Sequence, residues 1–107
     1  MHIVIFITVG GREEGLMISR ALVEERLAAC VSMIEGVSSI YWWEGKVEEA
    51  KECLLIVKTV GELMHKVIER VKSLHSYKTP EIIAVEVKGG LGSYLDWIAS
   101  SVDSGRR

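Results

Sequence analysis

Apolar residues along this chain follow two rhythms, and the rhythms alternate. Ile3 to Val9 is a nearly unbroken apolar, β-branched run. It is too short for a helix and predicts a strand covered on both faces. Gly10-Gly11 breaks it. From about Arg12 to Leu27 the period lengthens: Ile18 and Leu22 lie four apart, as do Val23 and Leu27, while Glu13, Glu14, Arg20, Glu24 and Glu25 turn to water. That is an amphipathic helix, and Glu13 and Glu14 suit the positive end of its dipole. Ala29 to Trp42 reads as a second strand, with Gly36 marking a bulge. Glu44-Gly45 supplies a turn, and Lys46 to Val60 returns as a third strand. Its charged start, Glu48 to Glu52, is expected to project from the body, and its end, Leu54 to Val57, is wholly apolar.

Thr59-Val60-Gly61-Glu62 matches a capping box, in which a threonine hydroxyl accepts from the backbone three residues on while the glutamate reaches back. The helix behind it places Met64, Val67, Ile68, Val71 and Leu74 on one stripe. Pro80 forbids its continuation. Ile82 to Val87 is a fourth strand, Gly89 to Gly92 a turn, and Ser93 to about Val102 a short closing helix. The tail from Asp103 to Arg107 is expected to fray.

The order β-α-β-β-α-β plus a helix predicts an α+β, ferredoxin-like domain spanning residues 1–107, with strands one and three in the centre of the sheet. Both helices then cover one face. Strands one, three and four do not alternate cleanly, and the fourth, at an edge, reads Ile-Ile-Ala-Val-Glu-Val. An exposed apolar edge is an aggregation hazard. Other copies of the chain are expected to cover the open face, in a closed cyclic homo-oligomer.

Composition narrows the function classes. The formal net charge is −2, which argues against nucleic acid as a partner. No segment approaches the ~20 apolar residues of a membrane span. Met1-His2-Ile3 carries no basic n-region, and Cys30 and Cys53 have neither CxxC nor zinc-finger spacing. Both point to a cytoplasmic protein with reduced thiols. The chain contains no Asn and no Gln, which predicts a thermostable protein.

Candidate chemistry concentrates between Leu74 and Ile83, where His75, Tyr77, the only proline and Glu81 fall within seven residues. Loops on a rigid scaffold commonly carry function. His75 is the best single metal ligand, suited to copper, zinc or nickel. Glu81 could add an oxygen, and Cys30 a sulfur if the fold brings it near, although the three match no standard metal spacing. Against this stands His75 as a hydrogen-bonded structural residue. Tyr77 could wall a ligand cleft with Glu81 and Lys58, the last ending a buried strand where it could meet an anion; the bland alternatives are packing, ion pairing and snorkelling. Tyr41, Trp42 and Trp43, so close together on a projecting hairpin, read as a subunit interface, as do Ile82 and Ile83 at the edge. No nucleophile–base pair or paired acid is visible, so no enzyme is expected.

Five segments together carry a resemblance: Leu27-Ala-Ala-Cys-Val31, Ser39-Ile-Tyr-Trp-Trp-Glu-Gly-Lys46, Lys58-Thr59, His75-Ser-Tyr-Lys-Thr-Pro-Glu-Ile82 and Tyr94-Leu-Asp-Trp97. In order and spacing the chain resembles the CutA family of divalent-cation tolerance proteins. The resemblance implies a homotrimer whose long second and third strands pair between subunits, a cytoplasmic location and a link to copper and other divalent cations. It also implies a likeness to PII signalling proteins, which bind small ligands between subunits; an anionic metabolite in such a cleft is the alternative to a copper-binding role. The family's His-x-Tyr-x-x-Pro-Glu motif maps onto His75, Tyr77, Pro80 and Glu81. Some bacterial members carry a cysteine near the end of the first strand. Here that place reads Ile7-Thr8-Val9, which counts against a thiol-rich copper site.

Overall fold

The structure is a computed structural model, and it describes residues 1–103. Its elements run β1 (His2–Val9), α1 (Arg12–Glu24), β2 (Cys30–Trp43), β3 (Lys46–Val60), a short 3-10 turn (Gly61–Leu63), α2 (Met64–Leu74), β4 (Ile82–Glu86) and α3 (Gly92–Ser101). The fold class is α+β. The four strands form one antiparallel sheet in the order β2-β3-β1-β4, so β1 and β3 lie in the centre as the apolar pattern predicts. Among the described residues, no helix is long and apolar enough to cross a membrane.

Within a single copy, burial along β1 alternates strictly. Ile3, Ile5, Ile7 and Val9 enter a core with Leu55 and Val57 of β3, Ile18 and Leu22 of α1, and Val67 and Val71 of α2. Register assigns the opposite face, because residues directly across a strand pair share a face. Val4, Phe6 and Thr8 of β1 stand opposite Lys58, Ile56 and Leu54 of β3, while Val85 and Ile83 of β4 flank Val4 and Phe6. This second face is apolar, and α1 and α2 pack on the other side; among the described residues α3 reaches it at its Val60 end, where His2 Nε2 donates to the Leu95 carbonyl at 2.8 Å. The strands carry apolar residues on both sides, although a single copy buries the second side mainly at its Val60 end.

Within α1, Gly15 lets the helix sit close on the sheet: a Cβ there would meet Met33 Sδ at 2.7 Å and Val9 Cγ2 at 3.2 Å. The helix ends at Glu24, three residues before the expected Leu27. Arg26 takes the left-handed conformation (φ 62°), and the Leu27 N–H donates back to the Leu22 carbonyl. This closure is a Schellman-type stop. It leaves Val23 largely exposed and tucks Leu27 against both apolar clusters.

The capping box does not form. Val60 and Leu63 precede the two helical segments without side-chain caps. Thr59 is instead fully buried in β3, and its hydroxyl donates to the Leu27 carbonyl at 2.7 Å. A hydroxyl pointing into a core must satisfy itself there, and the α1 stop supplies the acceptor.

β1 pairs with β3 only as far as Cys53, whereas β2 pairs with β3 down to Lys46. Beyond the sheet the hairpin therefore continues as a two-stranded arm, and the molecule measures 47 × 26 × 22 Å. The register shifts between Ile34 and Val37, where Gly36 takes φ 71°, so the expected bulge is present. Glu44 (φ 49°) and Gly45 (φ 79°) close a two-residue turn of the primed kind that matches strand twist. The arm carries exposed Ile40, Tyr41, Trp42, Trp43 and Val47. At the other end α3 packs Ile98 and Val102 onto Val60 and Leu63. The expected tail fraying bears mainly on residues 104–107, which lie outside the described residues; Asp103 is tied, its N–H donating to the Arg26 carbonyl at 2.9 Å.

Candidate functional site

The segment between α2 and β4 is pinned at four points. His75 follows α2 with extended backbone, and its N–H donates to the Val71 carbonyl. Its side chain has no solvent exposure. β4 begins opposite Ile7, so the β1 edge beyond that point has no strand partner. His75 Nε2 fills the gap by donating to the Thr8 carbonyl at 2.7 Å. Nδ1 accepts the Tyr77 backbone N–H at 3.0 Å. A carbonyl only accepts and an amide N–H only donates, so these partners dictate a neutral imidazole with its proton on Nε2.

Two carboxylates complete the network. Glu14, in the first turn of α1, accepts the Ser76 N–H (2.7 Å) and the Ser76 hydroxyl (3.0 Å). Its Oε2 also lies 3.6 Å from His75 Nδ1. Glu52, at the base of the arm and only 8% exposed, accepts the Tyr77 hydroxyl at 2.8 Å. Partial burial, reinforced by that bond to Glu52, raises the Tyr77 pKa from 10 to about 12. The Tyr77 ring lies against His75, with centroids 4.8 Å apart, and covers Gly10, where a Cβ would stand 3.4 Å from its hydroxyl.

This geometry changes how the sequence-predicted residues read. His75 has both nitrogens engaged, so ligating a metal would require it to surrender one of these bonds. Glu81 is exposed and has no hydrogen-bond or ion-pair partner among the described residues. Cys30 lies across the sheet on β2, opposite Lys58, which in turn stands opposite Val4. Val4 is four positions from Thr8, or about 13 Å along the strand. One chain therefore does not bring His75 and Cys30 together. Among the described residues, no group of three or more His, Cys, Asp or Glu is placed to hold a metal ion. Lys58 donates to Ser32 Oγ at 2.6 Å, with its Nζ 3.7 Å from Cys30 Sγ. Tyr77 binds Glu52, six positions away on β3, or about 20 Å along the strand. One chain therefore does not bring Lys58 and Tyr77 into one cleft.

Alternation also separates the expected interface pair. Ile83 is 58% exposed on the open face, whereas Ile82 packs against the helical core. Sequence reasoning missed Glu14, Glu52, Ser76 and Thr8. A glutamate in the first turn of a helix reads as dipole compensation, and Glu52 reads as one of a charged run, so neither carries a local signal of its partner.

The segments that carry the resemblance thus include the pinned loop, the tip of the hairpin arm, the α1–β2 junction, Lys58-Thr59 of β3 and part of α3. A family model described as "CutA1 divalent ion tolerance protein" matches residues 3–101. This chain belongs to the CutA1 family. It is 50% identical over 98 residues to the divalent-cation tolerance protein CutA of Thermus thermophilus, covering 92% of this chain and 95% of that one. It is 44% identical over 99 residues to the chloroplastic protein CutA 1 of rice, Oryza sativa, covering 92% of this chain and 56% of that relative's length. The chain thus spans about half of the plant protein and nearly all of the bacterial one. Among solved structures, the periplasmic divalent cation tolerance protein CutA of Archaeoglobus fulgidus superposes with a TM-score of 0.93 at 45% identity, over 96% of this chain and 100% of that one. The match to these relatives places the chain among proteins of divalent-cation tolerance.

Proposed function

We propose that this CutA1 family member is a non-enzymatic, cytoplasmic homotrimer of ferredoxin-like subunits, PII-like in assembly, that binds divalent cations, copper foremost, at subunit junctions. The observation that carries the reading is the part of the apolar sheet face, beyond Val60, that α1 and α2 leave open. Phe6, Leu54, Ile56, Ile83 and Val85 share it, and β2 and β4 present unpaired edges beside it. Covering such a face removes about 25 cal/mol per Å² of apolar surface from water. The copy number of three is supported by the family resemblance. Exposed Tyr41, Trp42 and Trp43 on the arm support a contact with a neighbouring subunit. The open carboxylate of Glu81 and the half-buried thiol of Cys30 support a cation site completed by residues of another copy. His75, with both nitrogens engaged, is left out of that site.

Light scattering on a size-exclusion column tests the assembly, and calorimetric copper titration tests the binding. The expected mass is three times 11.9 kDa, with Ile83→Lys shifting the chain toward single copies. A stable, monodisperse single copy of the unmodified chain refutes the assembly. Glu81→Ala is expected to weaken copper binding, and an isotherm indistinguishable from that of the unmodified trimer refutes its role.

Lys58 favours a second reading. Among the described residues its ammonium bonds a hydroxyl and approaches a thiol but has no carboxylate partner, which suits an anionic metabolite at a junction. A thermal-shift screen with nucleotides and carboxylates tests it, because ligands that bind only the folded state raise its melting point.

A further inference from the structure

The hydrogen bonds around His75 work only while its imidazole is neutral. Nδ1 must keep its lone pair to accept the Tyr77 N–H at 3.0 Å, because Nε2–H is committed to the Thr8 carbonyl at 2.7 Å. A second proton can go only onto Nδ1. There it would point at an N–H that also donates, and the two donors repel. The nearest acceptor for the new N–H is Glu14 Oε2, 3.6 Å away. Glu14 is already occupied: it holds both the Ser76 N–H and the Ser76 hydroxyl. One proton therefore breaks the Tyr77 bond and draws away the carboxylate that fixes Ser76.

We propose that His75, Glu14 and the Ser76–Tyr77 backbone form an acid-released latch on the segment leading into β4. Closed, the latch holds the Tyr77 ring against His75 and its hydroxyl on Glu52. Open, it frees Tyr77, uncovers Gly10 and the Glu52 carboxylate, and loosens the anchor of the edge strand. The groups facing the imidazole are the following. α1 contributes Glu14. β1 contributes the Thr8 carbonyl, which does not titrate. The loop contributes Tyr77, and β3 contributes Glu52 through the Tyr77 hydroxyl. No lysine or arginine hydrogen-bonds or ion-pairs with any of these side chains among the described residues. The charge next to the ring is therefore that of Glu14.

The test uses the whole chain in its native assembly. Long-range proton–nitrogen NMR spectra read the His75 tautomer and its titration directly, and amide exchange reads the Tyr77 N–H over the same pH series. The expected result is an Nε2–H tautomer at pH 8. As Nδ1 takes its proton, protection of the Tyr77 amide, corrected for the intrinsic pH dependence of exchange, should fall about tenfold, the loss of one ordinary hydrogen bond. Glu14→Gln removes the receiving charge and should move the His75 titration to lower pH. Tyr77 protection that stays constant through the His75 titration overturns the latch. So does an imidazole that stays neutral until the whole chain unfolds, or a Glu14→Gln variant with an unmoved titration.

Discussion

Replacing Tyr77 with phenylalanine removes one oxygen and leaves the ring. The lost hydroxyl donates at 2.8 Å to Glu52, a carboxylate that is only 8% exposed. Hydrogen bonds to charged groups contribute about 1.5–3 kcal/mol, and a buried acceptor left without its donor bears the desolvation cost itself. Tyr77 is 37% exposed, so water reaches part of this pair and the lower end of the range applies. The expected loss for Tyr77→Phe is about 1–2 kcal/mol at pH 7. The pH dependence gives a second, independent reading. The folded-state pKa of Tyr77 is raised from 10 to about 12, chiefly by burial and then by Glu52. A group with a raised folded pKa contributes stability that is fully present below its unfolded value and is lost as pH rises through the folded one. The unmodified chain should therefore lose stability relative to Tyr77→Phe between pH 10 and 12. A two-unit shift corresponds to at most about 2.7 kcal/mol, and solvent screening at this exposure reduces it to about 1 kcal/mol. Urea unfolding of both proteins at one fixed concentration, from pH 7 to 12, is the assay. Equal stability at pH 7, or a gap that stays constant up to pH 12, refutes the account of the Tyr77–Glu52 pair.

Two further outcomes follow from the fold and the composition. Thr59→Val keeps the shape but removes the hydroxyl that closes onto the Leu27 carbonyl, so the denaturation midpoint should fall by the equivalent of about 1–2 kcal/mol; an unchanged midpoint would mean that the carbonyl finds another donor. The absence of Asn and Gln predicts thermal unfolding above the ~45–65 °C of ordinary mesophilic domains, and a calorimetric midpoint inside that window would remove the thermostability expectation.

By itself the sequence determined the elements, their order and the central places of β1 and β3. Periodicity records which side of an element meets its neighbours, and a continuous apolar run such as Leu54 to Val57 marks a strand with something to bury on each side. It also located the turn at Glu44-Gly45 and the bulge at Gly36, because positive φ leaves a local mark in residue type. The same segments brought the family into view. Tertiary structure alone decided what the side chains do. Thr59 looks like a helix cap until a carbonyl 32 residues away claims its hydroxyl. His75 looks like a free ligand until β1 runs past the start of β4 and leaves the Thr8 carbonyl unpaired, 67 residues away in sequence. Glu14 and Glu52 carry no local sign of the loop they hold. A hydrogen-bond partner chosen across the fold leaves no periodic trace, since it depends on where one chain direction ends relative to another. Patterns report burial; only the assembled sheet reports which polar group is left wanting a partner.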